Sequence, residues 1–255
     1  MHSSQPLPVR RRVVKHASRW ISSAWLRRRD PRFRAQVVLV AAFAAALTAF
    51  LHIVEDYLTG DPIVRWDVEF SRWLHQHSNS ALLSFFKLAT WAGTVAVLAA
   101  LTVVVALYLV RRRLVNEAAL LCFVGFGIEA LNAGLKVLFH RPRPELAFVH
   151  LETYSFPSGH AAGSAAIYAT LFYLLARHGF LRVVTCALAF VCLVVVIAFS
   201  RLYLEVHYLS DVLSGLALGA AWATGCLFLY ETRPFDVMRV LPSRARTILK
   251  RLGRT

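Results

Sequence analysis

Three short polar clusters lie among the apolar segments of a chain of 255 residues. The first is Lys136 with Arg141 and Arg143, in "KVLFHRPRP". The second is Ser158, Gly159 and His160, in "YSFPSGHAAGSAA". The third is "SRLYLEVHYLSD", residues 200–211. Each alone has a plain structural reading. Basic side chains at helix ends snorkel to the interface, Ser158 after Pro157 is a favoured helix N-cap type, and a lone interfacial histidine is commonly structural. Together they supply fixed cations, two histidines and an aspartate, a set that suits phosphoryl transfer. A phosphoryl group in flight needs positive charge around its equatorial oxygens, an in-line nucleophile and an acid for the leaving oxygen. Arginine grips such oxygens with a planar fork and lysine adds a point charge. His207 and Asp211 are four residues apart, so on a helix they would share one face. Asp211 would then accept one ring N–H and leave the other nitrogen free to attack. His160 is the candidate general acid. A helix starting at Ser158 also offers free backbone N–H groups to an anion. No carboxylate cluster of metal-binding pattern accompanies these residues. The expectation is therefore no metal and no cofactor, with Lys and Arg doing the work Mg²⁺ does elsewhere.

Such a site requires elements that bring three distant parts of the chain together. The composition, 58% hydrophobic and 17% charged with mean hydropathy +0.55, excludes an ordinary soluble domain and points to a membrane class. Six apolar segments of spanning length follow one another at roughly 35–54, 88–110, 114–135, 160–176, 183–199 and 208–230. The first is read as an uncleaved span, because its basic leader is too long for a signal peptide. Between the first two spans, residues 55–80 carry Glu55, Asp56, Asp61, Asp67 and Glu69 and read as an interfacial loop or short helix. Residues 1–34 hold ten Lys or Arg; Val13, Val14, Ala17, Trp20, Ile21, Ala24 and Trp25 recur there at helical spacing, which fits an interfacial amphipathic helix or a disordered basic tail. A second basic tail occupies 231–255. The net charge of +15 lies in blocks between apolar spans, a pattern of membrane orientation rather than of a nucleic-acid face. With both termini on one side, that side holds 22 of the 29 Lys and Arg and the other holds 7. This bias predicts cytoplasmic termini and places all three polar clusters on the outer face. Cys122, Cys186, Cys192 and Cys226 lie in apolar runs without CxxC spacing and read as reduced thiols. The predicted fold is an all-α polytopic membrane protein of six transmembrane helices, one membrane domain over 35–230.

The three clusters resemble the signature of the type 2 phosphatidic acid phosphatase superfamily, K-x6-R-P, P-S-G-H and S-R-x5-H-x3-D. It falls on Lys136, Arg143 and Pro144; on Pro157, Ser158, Gly159 and His160; and on Ser200, Arg201, His207 and Asp211. The resemblance implies a metal-independent lipid phosphatase with His207 as nucleophile, Asp211 as its orienter and His160 as the acid. Lys136, Arg143, Ser158, Gly159 and Arg201 would hold the phosphate. It further implies a phosphohistidine intermediate and a lipid phosphate substrate of the undecaprenyl diphosphate, phosphatidylglycerol phosphate or phosphatidic acid class. That activity would sit in a bacterial plasma membrane, with the site facing outward.

Other readings stay open at this point. A lipid A phosphatase or phosphotransferase would use the same residues, and a transporter or inactive scaffold could keep the same fold. Nucleic-acid binding by the tails is disfavoured. Arg141 lies beside the cradle but off the signature, open between substrate contact and a structural role. Glu129 and Asn132 sit seven and four residues before Lys136, where they either orient that lysine or pack the bundle. Glu117 is expected to pair with Arg113, and His140, His150 and His178 read as ordinary surface or interface residues. Oligomeric state and head-group preference are not legible.

Overall fold

The computed structural model describes residues 31–60, 62–145, 147–149 and 152–232. The expected amphipathic N-tail, the basic C-tail and His150 lie outside these residues. Among the described residues the regular structure is helical: α1 Pro31–Thr59, α2 Pro62–Gln76, α3 Ser80–Ala89, a 3₁₀ turn Thr90–Gly93, α4 Val95–Arg111, α5 Val115–Phe139, α6 Gly159–Arg177, α7 Val183–Tyr203 and α8 Leu209–Thr232.

Local chemistry sets several boundaries. Asn79 caps α3 by accepting from Leu82 N at 2.9 Å, and Thr94 caps α4 by accepting from Val97 N at 3.3 Å. α5 stops at His140, a left-handed residue (φ 47°) whose N–H closes onto Lys136 O. Pro142 and Pro144 then prevent the helix from resuming. Glu205, also at positive φ (54°), turns the chain between α7 and α8.

Arg32–Thr59, Val115–Phe139, Val183–Tyr203 and Leu209–Thr232 are long and apolar enough to cross a membrane. Ser80–Gly93 with Val95–Arg111, bent by 44°, makes a fifth candidate if read as one broken span. The second expected span is thus broken at Thr90–Gly93 rather than continuous. The fourth expected span is α6, 19 residues long but outside the apolar set. The reason is its position: Ala161 to Tyr168 and Thr170 are all buried, because α6 packs against α4, α5, α7 and α8. A helix enclosed by protein does not need a lipid-facing sequence, and small residues let its neighbours approach. At Gly219 of α8 an added Cβ would collide with the Ala162 carbonyl of α6, so the two backbones touch there. Around this contact Ile128, Val124, Ala162, Ala166, Ala223 and Leu227 form the central apolar cluster, with Phe50 of α1 on its flank. Since lipid is as apolar as leucine, association rests on such packing and on interhelical hydrogen bonds, each worth about 0.6 kcal/mol on average. Trp222 Nε1 donating to Val124 O at 3.0 Å is one, and Tyr168 Oη donating to Ala92 O at 2.8 Å is another.

Residues 62–76, expected as a loop or short helix, form α2. Its Asp67 and Leu74 are buried while Trp66 and Trp73 are exposed, so the aspartate faces the bundle instead of water.

Candidate active site

The three clusters meet at one end of the bundle, at the C-terminal ends of α5 and α7 and the N-terminal ends of α6 and α8. Lys136, in the last turn of α5, donates to the Tyr154 carbonyl. Arg143, in the extended segment that follows, is fixed on several sides. Its Nε donates to Thr153 O at 2.7 Å and its Nη2 to Thr153 Oγ1 at 2.8 Å. Its Nη1 reaches Val206 O at 2.5 Å and lies 3.2 Å from His207 Nε2. The returning loop is pinned by Ser155, which donates to Arg141 O from its N–H at 2.9 Å and to Pro142 O from Oγ at 2.9 Å. Ser158 N then donates to Asp211 O at 2.9 Å, joining the starts of α6 and α8.

Ser158 occupies the N-cap position of α6, but its hydroxyl makes no capping bond. It is buried, and Oγ has no partner among the described residues. At Gly159 a Cβ would stand 2.8 Å from Asn132 Nδ2, so only glycine lets α5 approach this helix start. His160 follows, half-buried, its ring 3.3 Å from where a Cβ on Gly93 would lie. Arg201, buried in the last turn of α7, donates to Thr90 Oγ1 at 2.7 Å. Its Nε is likewise buried without a partner among the described residues.

His207 is buried and lies in the turn before α8. Its Nδ1 is 3.3 Å from Asp211 Oδ2, and the same oxygen accepts from Tyr208 N at 2.9 Å. The sequence expectation of one shared helical face is corrected here. The pairing runs from a loop residue to the first turn of a helix, where the free Tyr208 N–H adds a second donor to the carboxylate. Burial, and then the charges of Arg201, Arg143 and Lys136, hold the His207 imidazolium well below the ordinary histidine range, so the ring is neutral. With Nδ1 facing a carboxylate, its lone pair belongs to Nε2.

Arg141 is committed to protein partners. It is buried, donating from Nη1 to Asp211 Oδ1 at 2.6 Å and to Ser210 Oγ at 2.7 Å, and from Nη2 to Asp67 Oδ2 at 2.7 Å. The Tyr57 and Tyr208 rings cover it, with centroids 4.8 and 4.5 Å away. Burial opposes its charge, but Asp211 and Asp67 outweigh burial and hold it above the usual arginine range. Asp67 completes its own shell by accepting from Ser210 N at 2.8 Å and Ser210 Oγ at 2.5 Å. Sequence reasoning missed Asp67. The available signal was its spacing, since Asp67, Phe70 and Leu74 fall at i, i+3 and i+7 on the inward face of α2.

Glu129 and Asn132 lie against α6, at Gly163 and Gly159, whereas Lys136 bonds Tyr154. At the opposite end, Glu117 Oε1 is 3.7 Å from His178 Nε2, and Tyr173 and Arg177 both bond Glu231. His140 packs edge-on against Tyr154.

Comparison with known proteins follows the same lines. Residues 117–235 match the PAP2 superfamily. Phosphatidylglycerophosphatase B of Bacillus subtilis (strain 168) is 40% identical over 106 residues, 39% of this chain and 52% of that protein. The chain therefore matches about half the length of this curated relative. The crystal structure of a transmembrane PAP2 type phosphatidylglycerolphosphate phosphatase from Bacillus subtilis superposes with a TM-score of 0.66 at 26% identity, covering 78% of this chain and 98% of that one. Aquifex aeolicus LpxE, at 24% identity and a TM-score of 0.53 over 64% of this chain and 94% of its own, shares the fold.

Proposed function

We propose that this chain, whose residues 117–235 match the PAP2 superfamily, is a member of that family and an integral membrane phosphatase. It would hydrolyse a phosphomonoester or diphosphate on a lipid through a phosphohistidine on His207. One observation carries this reading: a buried neutral histidine has Nδ1 on a buried carboxylate and Nε2 turned toward fixed cations. In the resting site the Arg143 guanidinium holds the Nε2 lone pair. An arriving phosphate draws that guanidinium to its oxygens, together with Lys136, Arg201, Ser158 and the Gly159 N–H, and frees the nitrogen. Nε2 then bonds phosphorus as the P–O bond to the lipid breaks, and His160 gives its proton to the departing oxygen. Water next attacks the phosphohistidine and yields a proton to His160. The N–P bond breaks, and phosphate leaves. The compensating charge at phosphorus comes from arginine and lysine side chains, so no metal is required.

The B. subtilis relatives favour phosphatidylglycerol phosphate within the lipid classes named above. The same reading places the protein in a bacterial plasma membrane with six crossings, α6 being the enclosed one, and with the site facing outward. The test is phosphate release from a panel of phosphatidylglycerol phosphate, phosphatidic acid, undecaprenyl diphosphate and lipid A. We expect turnover of at least one glycerol- or prenyl-linked substrate, unchanged by EDTA. Activity lost in EDTA and restored by Mg²⁺ overturns the metal-free mechanism, and phosphate release confined to lipid A moves the chain to the other branch of the family.

A further inference from the structure

We infer that Asp67, outside the matched region and on a different helix from any signature residue, is a positioning residue of the catalytic machinery. Acting through Arg141, it sets the charge that faces His207. This rests on the reading of His207 as nucleophile. A continuous buried chain links the two residues: His207 Nδ1 to Asp211 Oδ2 (3.3 Å), Asp211 Oδ1 to Arg141 Nη1 (2.6 Å), and Arg141 Nη2 to Asp67 Oδ2 (2.7 Å). Asp67 and Asp211 side chains are fully buried and Arg141 nearly so, so water does not screen the chain.

Charge counting shows what the second carboxylate adds. Asp211 and Arg141 alone would be a neutral pair, in which the arginine offsets part of the attraction that Asp211 exerts on a cationic ring. With Asp67 the trio carries one net negative charge. In the resting enzyme the His207 ring is neutral. When Nε2 bonds phosphorus while Nδ1 keeps its proton, the ring becomes cationic, and the trio then faces a matching positive charge. Asp67 thereby favours the phosphorylated ring over the resting ring, which is the difference that accelerates the first half-reaction. It touches neither the phosphate-binding cations nor His160, so phosphate affinity should not depend on it. The Ser210 hydroxyl, bonded to both Arg141 and Asp67, provides a built-in control, because removing it leaves all three charges in place.

The experiment measures, on purified folded full-length enzyme, the rate of labelling by ³²P-phosphatidylglycerol phosphate, trapped with an alkaline detergent quench, and the inhibition constant of inorganic phosphate. Asp67→Asn should label roughly 10- to 100-fold more slowly, as for loss of an outer-shell partner elsewhere, with phosphate inhibition within about twofold of the parent. Asp67→Glu should recover most of the rate, Ser210→Ala should stay near the parent, and Asp67→Asn combined with Arg141→Gln should lose no more than Arg141→Gln alone. Parent-like labelling of Asp67→Asn overturns the inference. So does equal loss in Asp67→Glu or Ser210→Ala, or loss of phosphate inhibition in step with rate, because each marks scaffolding rather than charge. His207→Ala distinguishes the underlying reading. If it still labels, the nucleophile is elsewhere and the inference falls with it. If it does not label while Asp67→Asn labels normally, only the inference falls.

Discussion

At the residue scale the two histidines differ in what holds them, and this separates their roles experimentally. His207 is buried between a carboxylate and an arginine, the setting of a nucleophile with a fixed tautomer. His160 stands half-exposed on the first turn of α6, free to reach a leaving oxygen. Losing a general acid costs about 10²- to 10⁴-fold, whereas losing a nucleophile ends covalent turnover on every substrate. We expect His207→Ala to be inactive on lipid and nitrophenyl phosphates alike. His160→Ala should retain a larger fraction of parental activity on the nitrophenyl ester, whose leaving group needs no proton. Steady-state rates on both substrates check this, and equal fractional loss in His160→Ala removes it from the acid role. The signature residues were legible because their chemistry and spacing are local. Arg141 and Asp67 were not, because their meaning lies in a contact 74 positions apart in sequence. An aspartate among Trp66, Trp73 and other interfacial residues reads as solvent-facing until α2 is seen to turn it inward.

At the element scale, the joint between α6 and α8 places the site. It brings Ser158 N onto Asp211 O and sets the two helix starts side by side. The joint depends on backbone contact at Gly219 and Ala162, and overpacking such a contact typically costs about 1–3 kcal/mol. Gly219→Val should therefore lower the thermal midpoint in detergent and reduce activity, by separating His207 from the start of α6. Gly134→Ala in α5 is the control. Nothing lies within 4 Å of its added Cβ, and alanine is better than glycine in a helix by about 1 kcal/mol, so stability should hold or rise. Equal midpoints for both variants would mean the helices separate without cost. Hydropathy alone showed where the apolar helices are. It missed one detail for a physical reason: the second span breaks at Thr90–Gly93, supplying Thr90 to Arg201; α6 is less apolar than a lipid-facing helix because protein surrounds it.

At the scale of the whole molecule, the proposal of six crossings is argued from which ends meet. α6 and α8 both start at the site, joined by the Ser158–Asp211 bond. They also both finish together, since Tyr173 and Arg177 near the end of α6 bond Glu231 near the end of α8. α8 is long and apolar enough to cross a membrane. A helix that runs beside it from the same end to the same end traverses the same thickness, whatever its own hydropathy. Nineteen residues at 1.5 Å each give about 28 Å, close to the ~30 Å hydrocarbon core. With the broken pair α3–α4 as one span, the proposed topology has six crossings, and the 22-to-7 bias of basic residues would orient them with the site outward. Three single cysteines in a background lacking the native four test both statements with a membrane-impermeant maleimide. Glu152→Cys, in the loop before α6, should label in intact cells. Arg112→Cys, in the α4–α5 turn, and Phe180→Cys, in the α6–α7 turn, should label only after permeabilisation. Glu152 and Phe180 labelling together would mean that α6 does not cross, and labelling of Arg112 and Phe180 without Glu152 in intact cells would invert the molecule and turn the active site inward.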